Sequence, residues 1–258
     1  MTFLKENEEW REWGHVDPLY AVASLSGRER GGIRPWTASE FYASGADDWQ
    51  VFMSAWRRYG VRADCCVEIG CGAGRLTAHL AGDFLEVHAL DVSGGMLEEF
   101  RKHIHLPNVV LHYITRAEIP LPDTSATAVF SSHVFQHFPD IKIACSYFDE
   151  AHRVLTLHGT IMIHLPVTMW PSGRVRPIHR ALDAATATLS RAGALCREAA
   201  FKAGLRKQPT MRGRWYEASW LHGYLKELGF KDIQINVLYH ESEMAHGCHG
   251  FVLARKVK

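Results

Sequence analysis

Apolar and polar positions follow two different periods along this chain. From residue 64 onward, short apolar runs that suit buried strands alternate with stretches whose apolar residues recur at helical spacing. Such alternation is typical of a parallel sheet with helices on both faces. We predict strands at 65–69, 86–90, 109–114, 126–131, 160–165, 233–239 and 250–255, with helices at 75–81, 93–102, 141–155 and 219–228.

The last two predicted strands are joined by a short connection, which favours an antiparallel hairpin at the sheet edge. The pattern therefore predicts an α/β fold. We expect a doubly wound, mostly parallel seven-stranded sheet with an antiparallel edge strand.

Two segments differ from this alternation. Residues 1–60 contain helical patterns, one of which Thr37 and Glu40 would begin as a capping box. We expect an N-terminal helical cap there, followed by the main domain over 61–258. Residues 167–216 interrupt that domain, and we expect them to form a helical lid. The eight arginines of this insertion suit either recognition of an anionic group or a solvated helix face.

Composition excludes several classes of protein. A net charge of +1 gives no broad attraction to nucleic acid, and no apolar run has the length of a membrane span. The six cysteines include no CxxC pair, so we expect free thiols in the cytoplasm and no metal centre.

Three glycines, Gly70, Gly72 and Gly74, follow the first predicted strand and open a helix. A dinucleotide site would need a further glycine where Arg75 stands. Glu68 precedes the loop, and a carboxylate there would repel a pyrophosphate but suit a ligand with an ammonium group. Asp91 ends the next strand 21 residues after Gly70, where a carboxylate can accept both ribose hydroxyls. The pattern indicates a ligand with a ribose, no pyrophosphate and a cationic amino-acid end.

The chain here resembles the class I S-adenosylmethionine (SAM)-dependent methyltransferases, which are Rossmann-like. The matching stretches are Val67-Glu68-Ile69-Gly70-Cys71-Gly72-Ala73-Gly74-Arg75, Ala89-Leu90-Asp91-Val92-Ser93-Gly94-Gly95-Met96-Leu97 and residues 119–137. The resemblance implies SAM as cofactor, with S-adenosylhomocysteine as product. It also implies that the glycine loop meets the methionine part, that Asp91 binds the ribose and that Met96 packs on the adenine. Residues 36–45 resemble a helix that closes over SAM in many members.

One departure concerns the adenine. Arg116 stands where the family often has an aspartate, and its side chain cannot accept a hydrogen bond. We expect Ala117 and Glu118 to replace that contact. The cofactor-binding residues that we predict are Trp36, Phe41, Glu68, Gly70, Cys71, Gly72, Gly74, Asp91, Val92, Met96, Arg116, Ala117, Glu118, Ser132 and His133.

Two histidines after the fourth strand are candidate general bases. Because ligands of open α/β sheets bind beyond the carboxyl ends of the strands, His133 and His137 should line the site. Each would either accept a proton from the acceptor or only form structural hydrogen bonds. Trp36, Phe41 and Tyr20 would either shield a sulfonium or pack in the core.

We therefore expect an enzyme that transfers the SAM methyl group by direct displacement to an oxygen or nitrogen of a small molecule, such as a natural product of secondary metabolism. We expect no nucleic-acid or membrane partner, and a homodimer is left open. The alternatives are an RNA or protein methyltransferase, and a SAM-binding protein with non-methylating chemistry.

Overall fold

The computed structural model of the protein describes residue 3, residues 7–168 and residues 213–258 except 241–246. Most of the predicted lid, and its arginines apart from Arg214, lie outside the described residues. The described strands are β1 (Cys65–Ile69), β2 (Glu86–Asp91), β3 (Val109–Tyr113), β4 (Ala126–Ser131), β5 (Leu155–Thr168), β6 (Tyr216–Glu217), β7 (Phe230–His240) and β8 (Gly247–Lys256). The described helices are α1 (Glu8–Val16), α2 (Pro18–Val22), α3 (Ala38–Tyr59), α4 (Thr77–Asp83), α5 (Gly94–His103), α6 (Ile141–Val154) and α7 (Ala218–Leu228), with a 3₁₀ turn at Phe135–His137.

The strands form one sheet in the order β3-β2-β1-β4-β5-β8-β7, with the short β6 paired to β5. The strands from β3 to β5 run parallel, and β8 pairs antiparallel with both β5 and β7. This confirms the predicted mostly parallel α/β sheet with an antiparallel edge. The added strand β6 makes eight strands where the pattern indicated seven. Strand β5 also continues through Thr168, two residues into the stretch that we assigned to the insertion.

Two apolar layers cover the sheet. On one face, α6 and α7 pack on β1, β4 and β5, with Phe135 and Phe148 fully buried. On the other face, α3, α4 and α5 bury Trp56 and Phe130. Trp56 also donates its indole N–H to Thr160 Oγ1 at 2.9 Å, which ties α3 to β5.

Helix α3 begins at the expected cap, where Thr37 Oγ1 accepts the backbone N–H of Glu40 at 3.2 Å. It continues as one helix to Tyr59 and ends at Gly60, whose φ of 93° is left-handed. The Glu40 carboxylate pairs with Arg28 and Arg34, so it anchors the 28–34 loop to the helix start.

The connection from β3 to β4 contains no helix in the described residues 114–125. On one face of the sheet, the β3 edge is consequently open to solvent, and Val110 on β3 is 43% exposed. A doubly wound sheet usually has helices on both faces, so this opening is a departure from the expected architecture.

Candidate active site

A cavity of about 890 Å³ opens beyond the carboxyl ends of β1, β2 and β4. Its floor is the glycine loop after β1, and its roof comes from α1, α2 and the loop that follows them, including Trp10, Val22 and Leu25. Of the predicted site residues, those that line it are Trp36, Gly70, Gly72, Asp91, Val92, Met96, Ser132, His133 and His137. The tertiary structure thus brings most of the expected residues to one cavity, although they come from six different segments.

The backbone of the loop requires glycine where it meets its neighbours. Gly70 and Gly72 have φ of 75° and 54°, in the left-handed region. A Cβ on Gly70 would lie 2.3 Å from Val134 Cγ2, and one on Gly72 would lie 2.6 Å from Val22 Cγ2. The end of α2 therefore rests directly on the loop, and the N-terminal segment is part of the cavity wall.

Asp91 organises the junction between β2 and the loop. Its carboxylate accepts the backbone N–H groups of Gly72 and Ser93, each at 2.8 Å. Only 8% of the residue is exposed, and burial raises its pKa to about 6 against the opposing effect of these N–H groups. An ionised carboxylate has about four acceptor sites, so roughly two remain for a ligand in the cavity.

Glu68 lies behind the loop and does not line the cavity. It is 3% exposed and accepts the hydroxyl of Thr77 at 2.6 Å, and burial raises its pKa to about 7. This differs from the direct contact with an ammonium group that we expected. The reason is the alternation of side chains along β1, which directs residue 68 toward the start of α4.

Other predicted residues also lie outside the cavity lining. Phe41 is fully buried, with its ring edge-on to Trp36, which is the packing alternative that we left open. Tyr20 packs on Trp13 at a centroid distance of 5.8 Å. Cys71 is buried at 4% exposure, and Gly74 backs onto the ring of Phe100.

Trp36 lines the cavity, but its ring already makes a cation–π contact with a side chain of the protein itself. The Arg28 guanidinium lies 4.2 Å from the ring centroid, and the indole N–H donates to the Ala23 carbonyl at 2.8 Å. Both contacts hold the tryptophan against the N-terminal segment.

The three residues assigned to the adenine end, Arg116, Ala117 and Glu118, lie outside the cavity lining. The side chains of Arg116 and Glu118 are 76% and 56% exposed, and Glu118 borders a separate small depression beside β3. Ala117 packs against the core. Apolar side chains at that end of the cavity come from Ile114 and Tyr147, which the sequence did not single out.

His133 is the end of a column of three imidazoles. Its ring stacks on that of His164 at 4.0 Å, and His164 stacks on His249 at 5.2 Å. The backbone N–H of His133, whose φ is 59°, donates to His164 Nδ1 at 3.3 Å. Neutral His164 therefore has its proton on Nε2, which faces His249 Nδ1 at 3.3 Å.

Burial determines the charge of His133. Burial lowers its pKa to about 4, assisted by the cationic Arg75 and the neighbouring histidines. His164 is fully buried, and its pKa is far below the usual range for the same reason. His133 is therefore neutral at physiological pH, with Nδ1 2.9 Å from Ser132 Oγ.

His137 also lines the cavity. Its ring contacts Trp10 of α1 at a centroid distance of 4.6 Å, and its Nε2 lies 3.0 Å from the side-chain nitrogen of Gln136. Both histidines after β4 thus border the cavity.

Two polar side chains of the cavity were missed by the sequence interpretation. Arg75 pairs with Asp48 at 2.7 Å, and its buried Nε has no hydrogen-bond partner in the described part of the chain. Gln136 Oε1 is also buried and has no hydrogen-bond partner among the described residues. The position of Arg75 directly after the glycine loop was a usable signal, whereas nothing in the sequence links residue 75 to residue 48.

Within the residues that the structure describes, no helix combines the length and the apolar character needed to cross a membrane.

Comparison with known proteins agrees with this geometry. Residues 67–163 match the family model of a methyltransferase domain. The fold is similar to that of the YcgJ protein from Bacillus subtilis, with a TM-score of 0.56, 17% identity and coverage of 80% of this chain and 98% of that one. It is also similar to a putative sarcosine dimethylglycine methyltransferase from Galdieria sulphuraria, with a TM-score of 0.56, 17% identity and coverage of 84% and 88%.

A third similar structure is phosphoethanolamine N-methyltransferase 2 from Haemonchus contortus, with a TM-score of 0.54, 17% identity and coverage of 81% of this chain and 53% of that one. No curated protein sequence matches the chain. The matched stretch contains the glycine loop, Asp91 and both candidate histidines, so residues 67–163 form a SAM-dependent methyltransferase domain, and the similar structures share its fold.

Proposed function

We propose that the protein binds SAM in the 890 Å³ cavity and transfers its methyl group to an oxygen or nitrogen of a small-molecule acceptor. The observation that supports this most directly is the buried Asp91 carboxylate beside the glycine loop in one cavity. The cavity is near the upper end of the size range of small-molecule sites, roughly 300–1,000 Å³, so it has room for a cofactor and a small acceptor together.

The residues present fit SAM on three counts. Asp91 has acceptor sites left for ribose hydroxyls. Met96 and Val92 offer apolar surface for a base. The buried Arg75 Nε has a hydrogen to donate, which suits the carboxylate of a methionine group. Arg75 therefore joins the residues that we propose to hold the cofactor.

The acceptor side of the cavity is mainly apolar. The cavity-lining residues that we do not assign to the cofactor include the apolar Trp10, Leu25, Phe52 and Phe138, and Gln136 Oε1 is a buried acceptor without a partner among the described residues. We propose a largely apolar acceptor with one N–H or O–H group.

The free thiols of the five described cysteines support a reducing compartment, and the proposal includes a cytoplasmic location.

SAM, when bound, supplies an electrophilic methyl group on a sulfonium. The chain contributes alignment and exclusion of water, because the roof of α1 and α2 covers the cavity. A neutral imidazole accepts a hydrogen bond from an O–H or N–H nucleophile, and His133 is neutral above about pH 4. With so low a pKa, His133 orients the nucleophile and takes its proton only in passing, then releases it to solvent water once the methyl group has moved from the sulfonium to the nucleophile. His137 is the second candidate for this role.

The test is calorimetry with SAM and with S-adenosylhomocysteine, followed by a labelled-methyl screen of apolar amines, phenols and alcohols. We expect one site per chain and label in at least one small molecule. Failure of both ligands to bind would refute the cofactor assignment. Label in RNA or protein with none in any small molecule would refute the acceptor class.

The role of the histidines is tested separately with His133→Gln and His137→Gln. General acid–base assistance is worth about 10²–10⁴-fold, so at least one variant should lose roughly 100-fold in turnover while SAM affinity stays close to wild type. If both variants keep near-normal turnover with an unchanged pH dependence, neither histidine handles the proton.

A further inference from the structure

Three side chains with metal-binding atoms meet at the opposite end of the sheet from the cavity. Cys65 and Glu86 are register partners at the starts of β1 and β2, and His88 lies two residues further along β2 on the same face. The thiol sulfur, a carboxylate oxygen and an imidazole nitrogen of these residues all lie within 4.8 Å of one another. His88 Nε2 is 3.1 Å from Glu86 Oε1.

We propose that Cys65, Glu86 and His88 form a binding site for a divalent transition-metal cation of the Zn²⁺ class. Thiolate, imidazole and carboxylate are the ligand types that Zn²⁺ takes in proteins. Bond lengths of about 2.0–2.3 Å in a tetrahedron place ligand atoms roughly 3.3–3.8 Å apart. The observed spacing reaches that range with side-chain rotations alone, because the two strands already hold the backbones in register.

A fourth residue, His112 on β3, completes the arrangement without binding the metal. Its Nε2 lies 2.9 Å from Nδ1 of His88, and the two rings stack at 5.2 Å. A histidine that binds a metal through Nε2 has its proton on Nδ1 and usually donates it to an outer partner, which fixes the orientation of the ring. His112 is in the position of that partner.

The site is reachable because this face of β2 and β3 has no covering helix in the described residues 114–125. The Glu86 side chain is 54% exposed and that of His88 is 15% exposed. A cation can therefore enter from solvent, and water can take the fourth position. Because Cys65 and Glu86 begin their strands while the glycine loop follows β1, the metal site is separate from the cavity and independent of the proposed function.

The experiment is a Zn²⁺ titration of the full-length protein against a chromophoric chelator, repeated with Co²⁺ to observe the thiolate-to-cobalt absorption band. We expect one tight site and that band in the wild type. Cys65→Ser should lose both, and His88→Gln should lose tight binding. His112→Ala should weaken binding by about 10–100-fold. Cys145→Ser, at another half-buried free thiol on α6, is the matched control and should behave as wild type.

Melting temperatures without metal show whether each variant folds. In excess Zn²⁺, the wild type and Cys145→Ser should melt at higher temperature, and Cys65→Ser should show no such shift, because a ligand stabilises only the state that binds it. A wild type without the cobalt band, or a Cys65→Ser variant that binds Zn²⁺ as tightly as the wild type, would overturn the site. A His112→Ala variant with unchanged affinity would overturn the outer role of His112.

Discussion

Replacing Asp91 by asparagine removes a buried carboxylate that faces both the glycine loop and the cavity. Asparagine keeps the shape, but its NH₂ group cannot accept, so the side chain loses one oxygen and its charge. We expect two hydrogen bonds from ribose hydroxyls to be weakened or lost. Hydrogen bonds to charged groups contribute about 1.5–3 kcal/mol each, so SAM affinity should fall roughly 10²–10⁴-fold.

The same carboxylate predicts a pH dependence. The pKa of Asp91 in the free protein is raised to about 6 by burial, so the protonated form dominates below that pH and loses acceptor capacity. Wild-type SAM affinity should therefore fall as pH drops through 6 and be roughly tenfold weaker at pH 5 than on the plateau. The Asp91→Asn variant has no such group and should show a flat profile over this window.

Calorimetry with SAM between pH 5 and pH 8 measures both effects, with circular dichroism to confirm folding. Asp123→Asn is the control, because that carboxylate is 73% exposed and pairs with Arg153 away from the cavity. An Asp91→Asn variant that binds SAM within about threefold of the wild type would refute the assignment. So would a pH profile that persists unchanged in the variant.

Three further changes test the loop and the fold. Gly72→Ala should lower the free energy of unfolding by about 1–2 kcal/mol because φ at this position is left-handed, and further because the new Cβ would clash with Val22. Adding Val22→Ala should relieve the clash, so equal melting temperatures of Gly72→Ala and the double variant would contradict the contact. Glu68→Gln should keep SAM affinity within about threefold because the side chain lies behind the loop, and a loss above tenfold in calorimetry would restore a direct ammonium contact. Trp56→Phe should destabilise by about 1–3 kcal/mol, lowering the melting temperature by roughly 2–4 °C per kcal/mol, because Thr160 loses its buried donor; SAM affinity should not change.

The strands and helices of the main domain follow closely from local patterns. Strand β4 was predicted with its observed bounds, and Ser93 and Gly229 mark helix ends as expected, because caps and apolar periods act over a few residues. The strand β6 was missed because two residues have no measurable period. The length of β5 was underestimated at both ends: residue 155 was assigned to the preceding helix, and Pro166 near the far end does not suggest a strand interior.

Some residues of the candidate site could likewise be assigned from the sequence, and others could not. Gly70, Gly72 and Asp91 could be assigned from sequence because a left-handed turn after a strand and an acid at the end of the next strand are local requirements of one kind of ligand site. The alternation along β1 places Glu68 on the opposite face from Val67 and Ile69, but which of the two faces α4 covers was decided by the tertiary structure.

Contacts between distant segments were decided only by the tertiary structure. Arg75 and Asp48 meet because helix α3 packs beside the start of α4. His133, His164 and His249 meet because β4, β5 and β8 are neighbours in the sheet. Neither set has a spacing that a motif could capture. We expected no metal centre because the sequence lacks a motif with metal-ligand spacing, whereas Cys65, Glu86 and His88 come together only through the pairing of β1 with β2.

The sequence by itself determined the class of fold and the cofactor, since both depend on short-range backbone geometry and on residues at strand ends. The tertiary structure decided which of these residues reach the cavity and what charge they hold there, since burial and neighbouring groups set the pKa values of Asp91 and His133. It also placed Cys65, Glu86 and His88 together through strand register, which is a long-range property that the order of residues along one strand cannot show.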